Sequence, residues 1–317
     1  MQLTRLPVAI TGVARGGIGG VTAVALAKGD PELLILVSRT QAKLDEIISD
    51  IKAIKANANV KSVLVDLTSQ ASVRKAAEEI KAIATRLDLL INNAGFAVYK
   101  RQYSPEGIES QLAGNHIGPF LLTNLLRDRL VAAAQASSTL GATRVVSVAS
   151  EVHRASPFRF HDYNNEGWPI PAEEAGTLYA WPPFYIKPGP DGYSGAQAYG
   201  HSKTANILFT VGLNKRLAGT GVVAYSVHPG TIVTNLTRDV SESEKEQVAA
   251  LFKASNPKTV EQGGSTTLVA ALDPLLNEIK GAYLSDCQIE EAEPYAVDPE
   301  KAEKLWKLSE ELVKQTF

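Results

Sequence analysis

The pattern that most constrains this chain of 317 residues is an alternation of short apolar runs with longer amphipathic segments. The apolar runs are rich in β-branched residues and nearly continuous, as in parallel strands that are covered on both faces. The segments between them have helical periodicity. Strict alternation of this kind predicts an α/β fold with a doubly wound parallel sheet. About seven strands are expected at 6–11, 33–38, 60–65, 87–92, 143–149, 222–228 and 281–285, with helices at 18–28, 40–55, 69–84, 105–133, 196–218 and 259–272.

Composition excludes several classes of function. The chain has 32 Lys and Arg against 34 Asp and Glu, a net charge of −2, whereas nucleic-acid binding needs a basic excess. Its single cysteine, Cys287, excludes an intrachain disulfide and a cysteine zinc cluster, and the spacing of the other polar residues predicts no metal site. No segment has the length of a membrane span or the layout of a signal peptide. We therefore expect a cytoplasmic protein that acts on a small molecule.

One segment, 155–195, breaks the alternation. It holds seven of the 16 prolines and nine of the 21 aromatic residues, including Trp168 and Trp181. Prolines at this density exclude a long helix or a central strand, so the segment is interpreted as an insertion in one domain that spans 1–317, with a C-terminal extension at 286–317. Two interpretations stay open: a surface loop packed by its own aromatics, or a wall or lid of a pocket for a bulky apolar substrate.

The first expected strand runs into a glycine-rich turn and then a helix. Glycines at such a turn let backbone N–H groups approach a pyrophosphate at the N-terminus of the helix. The position after the first strand of a β-α-β unit makes dinucleotide binding the favoured interpretation over a turn without a ligand. The residues expected to line the cofactor here are Gly12, Gly16, Gly17, Ile18 and Gly19.

The second and third strand ends predict which dinucleotide binds. Ser38-Arg39 stands where an NAD-binding site usually has an acidic residue, and an arginine there can pair with a 2′-phosphate. Arg15, in the glycine-rich turn, is expected to lie over the same phosphate, so the predicted cofactor is NADP(H). Asp66, followed by Leu67, ends the third strand, where a carboxylate can accept a hydrogen bond from the adenine amino group.

The fourth strand ends in Asn92-Asn93-Ala94-Gly95. Small residues at this place let a cofactor pass close to the backbone at the carboxyl edge of the sheet, where folds of this kind bind their ligands. Asn93 has an alternative interpretation as a structural link between strands.

A tyrosine and a lysine four residues apart, Tyr199 and Lys203, fall on one face of an expected helix. An ammonium beside a phenol favours the phenolate and lowers the pKa of the phenol toward neutrality, which suits acid–base chemistry. Ser150 ends the fifth strand at the same carboxyl edge. Asn115 lies within the long helix between the fourth and fifth strands.

As an ordered set, these motifs resemble the short-chain dehydrogenase/reductase family, which has a Rossmann-type fold. The strings NHIGPFLLTNLL and YGHSKTANILFT and the tail AVDPEKAEKLWKLSEELV are similar to its retinol-dehydrogenase-like and fungal reductase branch. The resemblance covers about residues 10 to 317 except 155–195. Three features depart from the family pattern: an additional glycine in the first turn, Ala149-Ser150 in place of paired serines, and 49 residues between Ser150 and Tyr199.

The resemblance implies a role for each matched residue. Tyr199 is the acid/base, Lys203 lowers its pKa and bonds the nicotinamide ribose, Ser150 orients the carbonyl, and Asn115 helps hold a water that relays protons. Further cofactor contacts are implied for Pro229, Gly230, Ile232 and Thr234, and for Arg127 on the long helix. The helices at 105–133 and 196–218 are where this family often pairs its subunits, so a homodimer is expected there.

The leading hypothesis is an NADPH-dependent carbonyl reductase, or the reverse alcohol dehydrogenase, acting on a bulky apolar ketone, aldehyde or secondary alcohol. The alternative is an NADP(H)-binding protein of the same fold with a non-redox role, either a sensor or scaffold, or an enzyme of cyclisation or dehydration. His228 is interpreted as structural. His153 and His161 are interpreted as solvated loop residues, the alternative being contact with substrate.

Overall fold

The predicted alternation is present along the chain. The computed structural model describes residues 6–175, 188–232, 257–277 and 283–317. Thr234, Trp181 and the stretch 176–187 of the insertion lie outside the described residues.

The strands form one sheet in the order β3-β2-β1-β4-β5-β6-β7-β8. The first seven are parallel, and β8 joins β7 in the antiparallel direction. This order is that of a doubly wound, Rossmann-type sheet, since the chain winds outward from β1 on one side and then from β4 on the other. The strands are β1 Pro7–Thr11, β2 Leu33–Ser38, β3 Val60–Leu64, β4 Leu89–Asn92, β5 Thr143–Val148, β6 Val222–His228, β7 Tyr283–Ser285 and β8 Gln288–Glu290.

Helices cover both faces of the sheet, because each parallel crossover places a helix on one face or the other. Helices α1, α2 and α8 cover one face, and α3, α5 and α7 cover the other. The helices are α1 Ile18–Lys28, α2 Gln41–Ile54, α3 Gln70–Ile83, α4 Ser110–Leu112, α5 Gly118–Leu125, α6 Arg127–Ala136, α7 Gly195–Arg216, α8 Val260–Leu272, α9 Pro294–Val297 and α10 Pro299–Val313.

The structure refines two sequence-based expectations about these elements. Among the described residues the sheet has eight strands, because β8 is a three-residue strand reached by a tight turn in which Asp286 and Cys287 both have positive φ. The helix expected at 105–133 begins at Ser110, where the carboxylate of Glu109 caps it by accepting from Gln111 and Leu112 N–H. That helix is also divided by a π-helical turn, Ala113–Ile117, and by Leu126 between α5 and α6.

Helix α10 covers the apolar side of α5 and α7. Trp306 lies edge-on to Phe120 at a ring-centroid distance of 4.9 Å and stacks on Phe209 at 5.8 Å. The guanidinium of Arg216, at the end of α7, lies 3.8 Å from the centre of the Trp306 ring. Helix α10 of the same chain therefore packs against two of the helices on which a subunit contact was expected, and the homodimer itself stays a prediction.

Replacing Trp306 by alanine tests how much this helix stabilises the fold. Trp306 is 2% exposed and contacts both helices, so we expect Trp306→Ala to lower the free energy of unfolding by about 3–5 kcal/mol, the usual range for a large buried aromatic. Denaturant unfolding followed by circular dichroism measures this change. Trp168→Ala is the matched control, because Trp168 is 62% exposed. A loss below about 1 kcal/mol for Trp306→Ala would mean that α10 docks loosely.

The described part of the insertion packs against the body of the protein. Phe158 stacks on His201 of α7 at 4.1 Å and contacts Phe160 at 4.7 Å. Tyr193 is buried, where its hydroxyl donates to Glu109 at 2.9 Å and accepts from Gln111 at 2.8 Å. These contacts tie both ends of the insertion to the helices that carry the expected catalytic residues.

Over the described ranges, no helix has both the length and the apolar character needed to cross a bilayer.

Candidate active site

One face of α7 carries four polar side chains toward the end of β5. Tyr199, Ser202, Lys203 and Asn206 follow the i, i+3, i+4, i+7 spacing that aligns residues along a helix. All four are buried. The helix begins at Gly195 after Ser194, whose hydroxyl caps it by accepting from the Gln197 N–H.

Lys203 lies at the centre of this group. Its ammonium nitrogen donates to the carbonyl oxygen of Val148, the last residue of β5, at 2.8 Å, and lies 5.4 Å from the centre of the Tyr199 ring. Burial lowers the pKa of Lys203 to about 7, because the charged form is poorly solvated there. The residue is thus able to change charge near neutral pH, directly beside the tyrosine.

Ser150 follows β5 in extended conformation and starts a short 3₁₀ helix, Glu151–Ala155. Its hydroxyl oxygen accepts from the Val152 N–H at 3.2 Å, which leaves the hydroxyl proton available to donate. Tyr199 packs against Val152 and Ala155 of this 3₁₀ helix. Gly200 makes the contact close, since a Cβ there would lie 2.8 Å from the Val152 carbonyl. Ser150 and Tyr199 therefore lie on two elements in direct contact.

Asn115 occupies the π-helical turn between α4 and α5. Its amide donates to the Ser202 hydroxyl and to the Phe96 carbonyl, both at 3.0 Å, and accepts from the Phe96 N–H at 3.0 Å. Its main-chain carbonyl accepts from Asn206 at 2.7 Å, and a carbonyl oxygen retains a second lone pair for a water. Gly95 lies between Asn115 and Lys203, because a Cβ on it would be 3.0 Å from the lysine nitrogen and 3.5 Å from the Asn115 side-chain oxygen.

The glycine-rich turn has the backbone that a pyrophosphate requires. Gly12 and Gly16 have φ of +74° and +72°, a region that favours glycine. A Cβ on Gly12 would lie 2.5 Å from Ala94 Cα, so the loops after β1 and β4 touch where the strand order reverses. The cap of α1 is Gly17, which has no side chain to satisfy the N–H groups of Ile18 and Gly19. This turn fits a dinucleotide, because it offers an uncovered helix N-terminus beside a close backbone approach.

The two asparagines after β4 both have structural partners. Asn93 donates to the carbonyl oxygens of Thr11 at 2.8 Å and Gly12 at 3.2 Å, which links the β1 and β4 loops as its alternative interpretation proposed. Asn92 donates to the Thr123 hydroxyl of α5 at 2.9 Å.

The two arginines that were expected to lie over one phosphate have different partners in the structure. Arg15 forms a two-pronged ion pair with Asp50, at 3.0 Å from Nε and 2.5 Å from Nη2. Asp50 is nine residues beyond Gln41, which corresponds to about 13 Å along α2. Arg39, directly after β2, instead lies with its guanidinium carbon 6.0 Å from the centre of the Phe96 ring. Asp50 on α2 thus holds Arg15 in this structure, and the contact of Arg15 with a 2′-phosphate stays a prediction.

Asp66 and Leu67 lie after β3, at the same edge as the glycine-rich turn. One carboxylate oxygen of Asp66 accepts from the N–H of Thr68 at 3.0 Å and from its hydroxyl at 2.7 Å, so its orientation is set locally. Leu67 packs against Gly118 at the start of α5, where a Cβ would lie 2.2 Å from the Leu67 carbonyl.

The segment after β6 also reaches the cofactor turn. Gly230, following Pro229, has φ of +98°, and Ile232 is buried against Gly263 of α8. Ile18 contacts the same glycine, since a Cβ on Gly263 would lie 3.4 Å from it.

Arg127 lies away from this cluster, contrary to the expectation that it binds cofactor. It begins α6, and its guanidinium donates to the carbonyl of Arg216 at 3.2 Å. Arg216 ends α7, 13 residues from Lys203, or about 20 Å along the helix. Helix α7 starts at the carboxyl edge of the sheet and therefore ends at the opposite edge, where Arg216 holds Arg127.

The histidines differ in part from their interpretation as solvated residues. His153 is fully buried, and His161 pairs with Glu174 of the insertion. His228 accepts from the Glu151 N–H at 3.1 Å, and burial lowers its pKa to about 4, in keeping with a structural role.

Comparison with known proteins identifies the family. Residues 7–164 match the short chain dehydrogenase family. Mouse (Mus musculus) retinol dehydrogenase 12 is 36% identical over 315 residues, covering 99% of this chain and 88% of its own length. The chain belongs to the short-chain dehydrogenase/reductase family. It is similar to the retinol dehydrogenases within that family, and it is an NAD(P)-dependent oxidoreductase.

Solved structures share this fold. An uncharacterised protein from Mycobacterium paratuberculosis matches with a TM-score of 0.71 at 28% identity, covering 100% of this chain and 96% of its own. An NADPH-bound carbonyl reductase from chicken fatty liver matches with a TM-score of 0.60 at 22% identity, covering 92% and 100% of the two chains. At that identity the second likeness shows the short-chain dehydrogenase/reductase fold alone.

Sequence reasoning missed several residues of this short-chain dehydrogenase/reductase site. Asp50 holds Arg15, Phe96 bonds Asn115 and lies beneath Arg39, and Asn206 bonds the carbonyl of Asn115. The helical spacing from Tyr199 to Asn206 was a usable signal for Asn206, whereas nothing local in the sequence pairs Asp50 with Arg15.

Proposed function

We propose that this protein transfers hydride between NADP(H) and the carbonyl or alcohol carbon of a bulky apolar small molecule. The observation that carries the proposal is the convergence of Tyr199, Lys203, Ser150 and Asn115 at one edge of the sheet. Lys203 and Asn115 flank Gly95, and Ser150 begins the 3₁₀ helix against which Tyr199 packs. Each of these groups has a task in carbonyl reduction.

When bound, a nicotinamide cofactor supplies or accepts the hydride. In the direction of reduction, the Ser150 hydroxyl donates a hydrogen bond that orients the carbonyl, and the Tyr199 hydroxyl gives its proton to the carbonyl oxygen. Lys203, when protonated, stabilises the phenolate that is left. Asn115 holds the Ser202 and Phe96 contacts that fix this side of the site and offers its carbonyl to a relaying water. Oxidation of an alcohol uses the same groups in reverse.

A panel of aldehydes, ketones and secondary alcohols, assayed with NADPH and NADP⁺ through the nicotinamide absorbance, tests the reaction. We expect turnover of apolar members that exceeds that of small polar ones. Product formation without a change in nicotinamide absorbance would support the alternative of a non-redox reaction.

The preference for NADP(H) is proposed mainly on the charge of Arg39, because Arg15 is held by Asp50. An arginine at this strand end can form bidentate hydrogen bonds to a 2′-phosphate. A cytoplasmic location is proposed from composition alone, because the only cysteine, the exposed Cys287, forms no disulfide. Such a location agrees with a reaction that uses NADPH as reductant.

Replacing Arg39 by alanine tests this preference. A charge-assisted hydrogen bond contributes about 1.5–3 kcal/mol, so Arg39→Ala is expected to weaken NADPH binding about 10- to 100-fold, with NADH binding changed less than threefold. Dissociation constants for both cofactors are measured by the fluorescence of the reduced nicotinamide. Arg15→Ala is the matched comparison, and its effect on NADPH is expected to be smaller because Asp50 holds that guanidinium. Equal losses for NADPH and NADH would contradict the assignment.

A further inference from the structure

The 3₁₀ helix that Ser150 begins is held by the C-terminal part of the chain. Several contacts reach it from the segment 283–297, called here the C-terminal brace. The Tyr295 hydroxyl donates to the His153 carbonyl at 2.7 Å, and the Glu293 N–H donates to the His153 ring at 3.2 Å. Tyr283 lies edge-on to the His153 ring at 5.0 Å, and its hydroxyl donates to Glu151 at 3.4 Å.

His153 connects this brace to Ser150 through both ring nitrogens. Its Nδ1 lies 2.7 Å from the Ser150 carbonyl oxygen, which can only accept, so Nδ1 carries the proton. Its Nε2 faces the Glu293 N–H, which can only donate, so Nε2 is unprotonated. The geometry therefore specifies one neutral tautomer, and full burial of the ring agrees with a neutral imidazole.

Arg154 makes a second connection to the same brace. Its guanidinium contacts carboxylate oxygens of Glu151 at 2.5 Å, Glu290 at 3.2 Å and Glu293 at 3.3 Å, and donates to the Glu291 carbonyl at 2.7 Å. One arginine thus joins the 3₁₀ helix to β8 and to the residue before α9. The brace is therefore anchored independently of His153.

We propose that His153 is a positioning residue for Ser150, transmitting the placement of the C-terminal brace to the serine through the Ser150 carbonyl. The inference rests on the proposed function, in which the Ser150 hydroxyl orients the substrate carbonyl. His153 holds the carbonyl of Ser150, and the Val152 N–H holds its Oγ. With both groups held, the hydroxyl of Ser150 has little freedom to move away from the substrate carbonyl. An error of about 1 Å in such a group is enough to slow a reaction greatly.

Two substitutions at position 153 separate positioning from packing. His153→Phe keeps a ring beside Tyr283 but removes both hydrogen bonds, whereas His153→Gln retains one donor and one acceptor. We expect His153→Phe to lower kcat about 10-fold or more, since a lost buried hydrogen bond is commonly equivalent to one order of magnitude. The dissociation constant for NADPH should change less than twofold, because the glycine-rich turn lies in another loop. His153→Gln should recover kcat to within about threefold of the unsubstituted protein.

Tyr295→Phe gives a milder second variant that keeps the ring and removes only the bond to the His153 carbonyl. We expect a smaller fall in kcat with the cofactor dissociation constant unchanged. If His153→Phe keeps kcat within twofold, or if His153→Gln is as slow as His153→Phe, His153 only packs and the inference is overturned.

A spectroscopic measurement keeps this test separate from the proposed function. The ¹⁵N shifts of the His153 ring at pH 7 are expected to show a protonated Nδ1 and an unprotonated Nε2. Protonation at Nε2 would overturn the inference whatever the activity. A second outcome is that the expected tautomer is found but the unsubstituted protein shows no nicotinamide-linked turnover. This outcome would overturn the proposed function and with it the catalytic use of the contact, whereas the contact between His153 and Ser150 would stand.

Discussion

Tyr199→Phe is expected to lower kcat for carbonyl reduction by about 10²- to 10⁴-fold, the range that a positioned general acid usually contributes. The ring of Tyr199 packs against Ala97, Val152 and Ala155, and phenylalanine keeps these contacts. Folding and NADPH binding should therefore stay close to those of the unsubstituted protein. Turnover with the best carbonyl substrate, the dissociation constant for NADPH and the thermal unfolding midpoint are the three measurements.

Tyr103→Phe is the control for this substitution, because Tyr103 is 49% exposed and lies outside the site. It should retain full turnover. A Tyr199→Phe variant that is folded and keeps its turnover within threefold would rule out the assigned acid/base.

Lys203→Met is expected to lower turnover by about 10²-fold or more, because the phenolate of Tyr199 loses its neighbouring ammonium. The same substitution should stabilise the cofactor-free protein. Burial lowers the pKa of Lys203 to about 7 from its ordinary value of 10.5, so folding must either desolvate a charge or release a proton.

The pH dependence has a definite sign. Between pH 7 and 10.5 the unfolded chain binds the proton of Lys203 and the folded chain does not, so stability rises with pH over this window. Below pH 7 both states are protonated and the cost of burial is fully present. Lys203→Met should therefore raise the free energy of unfolding most at pH 7 and below, by an amount on the order of several kcal/mol, and little near pH 10.

Lys215→Met provides the matched control on the same helix. The Lys215 side chain is 65% exposed and pairs with Glu303 on the surface, so its loss should change stability by less than about 1 kcal/mol at any pH. Denaturant unfolding at pH 6, 7.5 and 9 measures both variants without cofactor. A Lys203→Met variant less stable than the parent at pH 6 would show that the bond to Val148 outweighs the burial of the charge.

Local patterns predicted most of the fold and much of the site. Nearly continuous apolar runs and helical periodicity located the first six strands and the helices from α1 to α3 to within one or two residues. The i, i+4 spacing placed Tyr199 and Lys203 on one helix face, and the ends of β1, β4 and β5 placed the glycine-rich turn, Gly95 and Ser150 at one edge of the sheet. These features follow from neighbours in the chain and from the rule that parallel strands share a carboxyl edge.

Contacts between distant segments could not be predicted in this way. Arg15 and Asp50 are 35 residues apart, and the partner of an exposed arginine depends on which carboxylate the packed helices bring within reach. His153 looked like a loop residue because its burial comes from Glu293 and Tyr295, which are 140 and 142 residues further along the chain.

The sequence by itself determined the alternating sheet, the glycine-rich turn and the residues that meet at the carboxyl edge, because each depends on local periodicity or on strand direction. The tertiary structure decided which carboxylate pairs with Arg15, how α10 covers α5 and α7, and that the pKa of Lys203 falls to about 7. All three depend on contacts between groups that are far apart in the chain. Solvation and long-range packing, unlike helical spacing, exist only once the elements have come together.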